Sequence, residues 1–288
     1  MATQALDLIS TKQKFVEYLQ GQRRAQATIL AYRKDIDQLV SFLTDMGKQN
    51  IDQIEKIDLE SFLSKLGKDG YTPKSLSRKL NSIKTFYRFL KSSGLTQFDQ
   101  ASDISHPKYE IKPPRILSKM EYRALRDACR DDIRISAIVE LFLQTGLRIG
   151  ELASLHLEDI NNSEITIKPF ESHEGRNVPM NKAAKAALDR YLEVRPKTKD
   201  SSIFITKTGR PLLIRNIRTA IDRYFKLAGI EKACVNDLRH TFIAQHLMSG
   251  TPLTIISKLA GHKRLSTTEK YLDLVKDKVE ENVKLEEL

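Results

Sequence analysis

A mainly helical chain of two domains, the second carrying a small antiparallel sheet, is what the sequence predicts. Three observations predict it. The chain has 288 residues, more than the roughly 150 of a common single domain. Apolar residues recur at helical spacing over most of the length, with only short runs of strand character. One stretch, Gln97 to Pro114, contains His106-Pro107 and Pro113-Pro114 and cannot continue a helix. The expected division is a helical domain over residues 1–105, a linker over 106–114 and a second domain over 115–288.

In the first domain a helix running from Ile29 places Tyr32, Ile36, Leu39, Val40 and Leu43 on one face. A second follows Asp58, with Phe62, Leu63 and Leu66 inside and Gly67 as its stop. A third opens at Thr72-Pro73 and ends at Gly94. Thr72 can accept from an orphan amide, and Pro73 has no amide to leave unpaired at the first helical position. On this third helix Leu76, Leu80, Ile83, Phe86, Tyr87 and Leu90 share one side, and Lys74, Arg78, Lys84, Arg88 and Lys91 share the other. The basic stripe reads either as an ordinary solvated face or as a surface that tracks phosphates.

The second domain opens with Ser118-Lys119-Met120-Glu121, a capping-box pattern, and a helix to Arg130. Helices are expected over 133–144, 148–157, 181–194, 214–228, 237–249, 252–260 and 266–283. Between them, Glu164 to Lys168 and Asn177 to Met180 flank a turn containing Gly175. Ser202 to Thr206 is expected as a further strand, before the turn Thr208-Gly209-Arg210-Pro211.

Composition narrows the function. Hydrophobic residues make up 40 % and charged residues 30 %, the balance of a globular protein. Lys and Arg total 48 against 37 Asp and Glu, a net charge of +11. That excess suits a polyanionic partner, nucleic acid first and a membrane surface second. No apolar run of about 18 residues exists, so no transmembrane helix is expected. Met1 to Ser10 has neither the basic nor the apolar region of a signal peptide. Cys129 and Cys234 form no CxxC pair and no Cys/His cluster, which indicates neither a disulfide framework nor a zinc site. Both are expected as buried thiols in a reducing compartment.

Four segments of the second domain stand out together. Thr145 to Leu152, TGLRIGEL, puts Arg148 at a turn into a helix. Asp237 to Phe242, DLRHTF, puts Arg239 and His240 near a helix start. Leu259 to His262, LAGH, ends on a histidine just past a helix, and Ser266 to Tyr271, STTEKY, ends on a tyrosine nine residues later. Singly, each has an ordinary explanation: a surface arginine, a turn histidine, a half-buried tyrosine.

In this order the four segments resemble the tyrosine recombinase (phage integrase) family, and most of all its compact Xer-type members. The resemblance covers nearly the whole chain. It implies a helical, SAM-like core-binding domain and a catalytic domain that together clamp duplex DNA. It implies that Tyr271 attacks a phosphate, forms a 3′-phosphotyrosine and releases a 5′-hydroxyl, and that a partner strand's hydroxyl then reseals the DNA. The bond energy is conserved, so the resemblance implies no cofactor, no ATP and no metal. No P-loop motif and no clustered carboxylates of a two-metal site occur in the sequence. Arg148 and Arg239 match the family's two catalytic arginines, whose planar, permanently charged forks suit a phosphoryl group gaining negative charge. His262 matches the donor to a phosphate oxygen. Glu151 matches an acidic residue that orders the site, and His240 a residue whose role in the family is usually structural.

Two positions depart from the family pattern. Asn236 stands where His or Lys is usual, and it can donate a hydrogen bond but cannot titrate. The hairpin lysine that protonates the leaving 5′-oxygen has no direct counterpart, since alignment places either Phe170 or Glu171 there. Lys168, two residues before Phe170 and so on the same face of an extended strand, is the expected acid. His173 is the alternative.

Residues 273–288 carry three basic and six acidic residues. Leu274, Val275, Val279 and Val283 fall near helical spacing, as in a last helix folded back on its own domain. In this family such a tail often docks onto a neighbouring subunit. The resemblance therefore implies a homotetramer on paired double-stranded DNA sites joined through C-terminal tails, without membrane association, in the cytoplasm at the nucleoid. Two other readings share the fold. One is a DNA-binding or architectural protein with impaired catalysis, and the other a type IB topoisomerase-like relaxing enzyme.

Overall fold

The computed structural model describes residues 7–22, 24–161, 163–169 and 173–275. The chain divides into two compact units, Met1–Ile111 and Lys112–Leu288.

The first unit packs α1 (Leu8–Gly21), α2 (Gln26–Asp45), α3 (Lys56–Lys68) and α4 (Pro73–Ser92) around one core. α1 was not among the expected helices. Leu8, Phe15 and Leu19 recur at helical spacing and are fully buried, and the Asp7 carboxylate accepts from the Ser10 amide to start the helix. α4 opens as expected, with Thr72 Oγ1 accepting from the Ser75 amide and Pro73 at its first position. The segment after α4 leaves the helix but stays packed on this core. Ala101 and Ile104 are buried in this core, and Ser77 Oγ lies 3.0 Å from His106 Nδ1.

The basic stripe of α4 is not uniform. Lys74, Arg78, Arg88 and Lys91 are exposed, whereas half-buried Lys84 donates Nζ to the Ser102 carbonyl (3.0 Å). Arg78 leans onto Asp35 of α2 through two hydrogen bonds of 2.5 and 2.8 Å. Buried Lys79 (2.9 Å) and Ser82 (2.7 Å) donate to the same carboxylate. Asp35 itself is buried, and three donor groups satisfy it as a buried anion requires.

The second unit contains α5 (Lys119–Ala128), α6 (Ile133–Thr145), α7 (Ile149–Ala153), β1 (Glu164–Ile167), β2 (Arg176–Pro179), α8 (Lys182–Val194), α9 (Ile214–Leu227), α10 (Val235–Met248), α11 (Leu253–Ala260) and α12 (Ser266–Glu269). Ser118 and Glu121 form the expected capping box of α5. β1 and β2 pair antiparallel, Glu164 with Pro179 and Ile167 with Arg176. α6 is buried on most of its faces and packs against α8 and α10. The main core joins Leu141, Phe142, Leu188, Phe204, Ile217 and Phe225.

Three expectations are corrected here. The helix over 148–157 is shorter, because α7 ends at Ala153 and a separate 3-10 turn covers Leu157–Asp159. Ser202 to Thr206 forms no strand of a sheet. Ile203, Phe204 and Ile205 are buried in succession, and the segment makes only single bridges, His156 to Ser202 and Ile205 to Pro211. Cys129 is buried but Cys234 is exposed. The expected tail beyond Val275 lies outside the described residues. No helix among the described residues is long and apolar enough to cross a membrane.

A smaller cluster completes this unit: Phe242, Ile243 and Leu247 of α10, Ile256 and Ala260 of α11, then Tyr271 and Val275. This packing fixes the tyrosine against the helix that carries Arg239.

Candidate active site

The site is assembled from helix ends. α6 stops at Gly146, whose φ of +61° is the left-handed conformation that closes a helix. A Cβ there would collide with the Phe242 ring. The turn delivers Arg148 to the start of α7. The Arg148 amide donates to Glu151 Oε2 (2.8 Å), Nη1 to Glu151 Oε1 (2.8 Å) and Nη2 to the Gly261 carbonyl (2.6 Å). Arg239, 7 % exposed on α10, donates Nη1 to the Gly146 carbonyl and Nη2 to the Ala260 carbonyl (2.6 Å). Both guanidinium groups thus rest on the backbone that ends α11.

A third arginine belongs to this cluster, and motif reading missed it. Arg176 of β2 donates to both oxygens of Glu151 (2.7 and 2.8 Å) and through Nε to the Leu259 carbonyl (2.7 Å). Its signal was period-two alternation. Arg176 shares a strand face with buried Val178, so it turns inward. Glu151, 1 % exposed, therefore binds two guanidinium groups and an amide. Burial opposes its ionisation, but the bonds from Arg176 and from the Arg148 amide outweigh that and bring the carboxyl down to about 2. Its part is to lock two arginines in place.

His262 follows α11, where Gly261 (φ +65°) turns the chain. His262 Nδ1 lies 2.7 Å from Thr268 Oγ1 of α12. With Thr268 donating, the opposite nitrogen carries the proton and can donate to an oxyanion. Burial first, then Arg239, Arg148 and Arg176, push this ring down to about 4, so it is neutral at neutral pH. Tyr271 is 4 % exposed. Its ring stacks toward His262 at a centroid distance of 6.5 Å, and its Oη lies 2.6 Å from His240 Nδ1. Burial raises the phenol above its ordinary range, and Arg239 acts in the opposite sense.

The structure therefore gathers Arg148, Glu151, Arg239, His240, His262 and Tyr271 in one place, and adds Arg176. Among the described residues, three guanidinium groups face one carboxylate, an excess of positive charge. Burial, and then the charge of Arg148, push Arg239 down to about 9, still protonated at neutral pH. A phosphate would balance that excess and accept from the same forks.

The remaining candidates lie differently. Lys168 is exposed just past β1, with Nζ 2.6 Å from Glu158 and 2.9 Å from Asp159. The hydrogen bonds that Lys168 donates to both carboxylates raise its pKa, which makes it a weaker acid. His173 is half-buried, with Nδ1 shielded from solvent and without a hydrogen-bond partner among the described residues. Burial lowers its pKa, as do the charges of Arg148, Lys263 and Arg239, so it sits within electrostatic reach of the arginine cluster. Asn236 is exposed in the first turn of α10, on the rim of a cavity that Ile149 and Arg218 also line.

Comparison with known proteins adds three findings. Residues 115–278 match the model of the phage integrase family, and residues 13–94 that of the phage integrase N-terminal SAM-like domain. A tyrosine recombinase XerC of Lactobacillus delbrueckii subsp. bulgaricus is 33 % identical over 278 residues, covering 91 % of this chain and 94 % of its own. Among solved structures, the XerA recombinase is 28 % identical with a TM-score of 0.55, covering 96 % of this chain and all (100 %) of that one. A lambda integrase tetramer bound to a Holliday junction shares the fold at 17 % identity and a TM-score of 0.76, covering 90 % of this chain and 78 % of that one.

Proposed function

The chain belongs to the phage integrase family of tyrosine recombinases, enzymes that cut and rejoin DNA, and on that premise we propose that it recombines specific duplex sites through a 3′-phosphotyrosine at Tyr271. One observation carries the reading. The Tyr271 side chain, the Arg148 and Arg239 forks and His262 meet within a single chain, around the backbone of Ala260 and Gly261.

Tyr271 Oη attacks the phosphorus. Arg148 and Arg239 turn their forks from backbone carbonyls to the equatorial oxygens, and His262 donates to one of them. Such preorganised donors are each worth about 3 kcal/mol in the transition state. Glu151 and Arg176 hold the forks. For the proton delivered to the leaving 5′-oxygen, the two sequence candidates are Lys168 and His173. The electrostatic neighbours of His173 favour it, since two carboxylates occupy Lys168. Asn236 is taken as a neutral hydrogen-bond donor to DNA.

The work is divided: residues 1–105, with the exposed bases of α4, bind the duplex, and residues 115–288 cut and rejoin it, across the joint at 106–114. The active assembly is a homotetramer on two paired sites, linked through C-terminal tails, in the cytoplasm at the nucleoid. The name of the lambda integrase relative, a tetramer on a Holliday junction, supports that assembly.

The test starts from covalent capture. Protein–DNA adducts trapped on fragmented genomic DNA are sequenced, and the recovered site is rebuilt as a nicked duplex from which the cut fragment diffuses away. The wild type accumulates a covalent adduct, while Tyr271→Phe forms none and binds with unchanged affinity. Binding without any adduct from the wild type would instead mark an architectural protein that kept the fold and lost turnover.

A further inference from the structure

We propose that His240 is the base that takes the proton of Tyr271 as that residue attacks DNA, an inference that rests on the recombinase reading above. The family resemblance assigns His240 a structural part. The structure puts its Nδ1 at 2.6 Å from the Tyr271 oxygen, hydrogen-bond distance from the reacting atom itself.

A buried phenol is a poor nucleophile until its proton has somewhere to go. The other groups near it are unsuited. Arg148, Arg176 and Arg239 present only donors and offer the phenol proton no acceptor. Glu151 is saturated by two of those arginines and the Arg148 amide, which makes it a very weak base. His262 has Nδ1 engaged with Thr268 at 2.7 Å. Asn236, at the position where a titrating residue is usual, has no proton affinity to offer. His240 remains, on the helix turn that also carries Arg239.

The charged and titratable groups around the His240 ring are Asp237 and Arg239 on its own helix, His262 past α11 and Tyr271 past α12. Burial is the largest influence and disfavours the charged imidazole, Asp237 works against it and Arg239 with it. A neutral imidazole with Nδ1 unprotonated accepts the phenol's hydrogen bond and is ready to receive the proton.

In cleavage the Tyr271 Oη–phosphorus bond forms while the phosphorus–O5′ bond breaks. The phenol proton moves to His240 Nδ1, and the bond's electron pair leaves on the 5′-oxygen, which is protonated by the hairpin-side acid. In the rejoining step an incoming 5′-hydroxyl gives its proton back to the deprotonated hairpin-side group as its oxygen bonds to phosphorus and displaces the tyrosine, and the His240 imidazolium returns the proton to Oη. The residue is regenerated each cycle.

The experiment is single-turnover adduct formation on the captured nicked site, followed across pH for wild type, His240→Asn and His240→Ala. Asparagine keeps a hydrogen-bonding group near the Nδ1 position but cannot titrate. The expected result is a rate for His240→Asn lower by about 10²-fold, loss of the acid limb seen in the wild type, and recovery of His240→Ala by added imidazole. Site binding by gel shift shows that each variant is folded. A His240→Asn enzyme with wild-type rate and an unchanged acid limb overturns the proposal, and so does a His240→Ala enzyme that is slow but indifferent to imidazole. A wild type that forms no adduct overturns the recombinase reading instead, so the two failures are told apart.

Discussion

At the scale of single residues the open chemical question is which group protonates the leaving oxygen. Lys168 carries the right functional group, yet Glu158 and Asp159 hold its ammonium at 2.6 and 2.9 Å and strengthen its grip on the proton. His173 carries a weaker claim by residue type; burial first, then Arg148, lower its pKa against the pull of Glu151, so its protonated form is a stronger acid though a less populated one. A substrate with sulfur in place of the bridging 5′-oxygen separates them, because a thiolate leaves without a proton. His173→Ala is expected to slow cleavage of the oxygen substrate by about 10²-fold and to cleave the sulfur substrate at nearly the wild-type rate. Lys168→Ala should change neither by more than a few fold, and rescue of Lys168→Ala by sulfur would reverse the assignment. The legibility of these residues in the sequence follows how local their signals are. Arg148, Arg239, His262 and Tyr271 each sit in a short, ordered motif. Arg176 and His240 acquire their meaning from partners 25 and 31 residues away, Glu151 and Tyr271, and no window of sequence shows that pairing.

At the scale of elements, α4 joins a core face to a basic face. Its apolar face closes the first core. Next to that face, Asp35 collects Arg78, Lys79 and Ser82, so part of the basic surface is spent on an internal anion. Burial raises the Asp35 pKa, but the bonds from Arg78, Ser82 and Lys79 prevail and leave it below its ordinary 3.8. A depressed carboxylate stabilises the fold fully above its unfolded titration and loses that contribution as the pH falls through the native one. Asp35→Ala should therefore cost about 3 kcal/mol in chemical denaturation near neutral pH, since Lys79 is left buried without its anion. The deficit relative to wild type should shrink once the pH falls below the native titration of Asp35. A constant deficit down to that range would remove the electrostatic explanation. The helices with one apolar stripe were legible for the same reason that they pack. α1 is hard to read although Leu8, Phe15 and Leu19 carry the spacing, because Ile9 and a polar run from Ser10 to Lys14 separate the first two by two turns. Ser202 to Thr206 misled because three consecutive buried residues look like a central strand, and only pairing partners, which the segment lacks beyond single bridges, decide the matter.

At the scale of the molecule, a net charge of +11 makes association with DNA a counterion-release process. Lys74, Arg88 and Lys91, the exposed members of the α4 stripe that do not bond Asp35, should each contribute. Replacing all three with alanine is expected to reduce the slope of log affinity against log salt by about 2.7, at about 0.9 for each phosphate no longer neutralised, with adduct chemistry at saturating protein unchanged. An unaltered slope would return the stripe to an ordinary solvated face. The division into a helical unit and a unit with one hairpin was legible from length, apolar periodicity and proline placement, whereas the backbone contacts that hold the site together were not, because they depend on the turn that ends α11. That turn has a wider consequence. Arg148, Arg176 and Arg239 all hold carbonyls between Leu259 and Gly261, and Gly146 supplies another. A genetic screen for inactive alleles should then recover Gly146 and Gly261 beside the reactive side chains, and a map built from such alleles would credit chemistry to two positions that have no side chain to contribute.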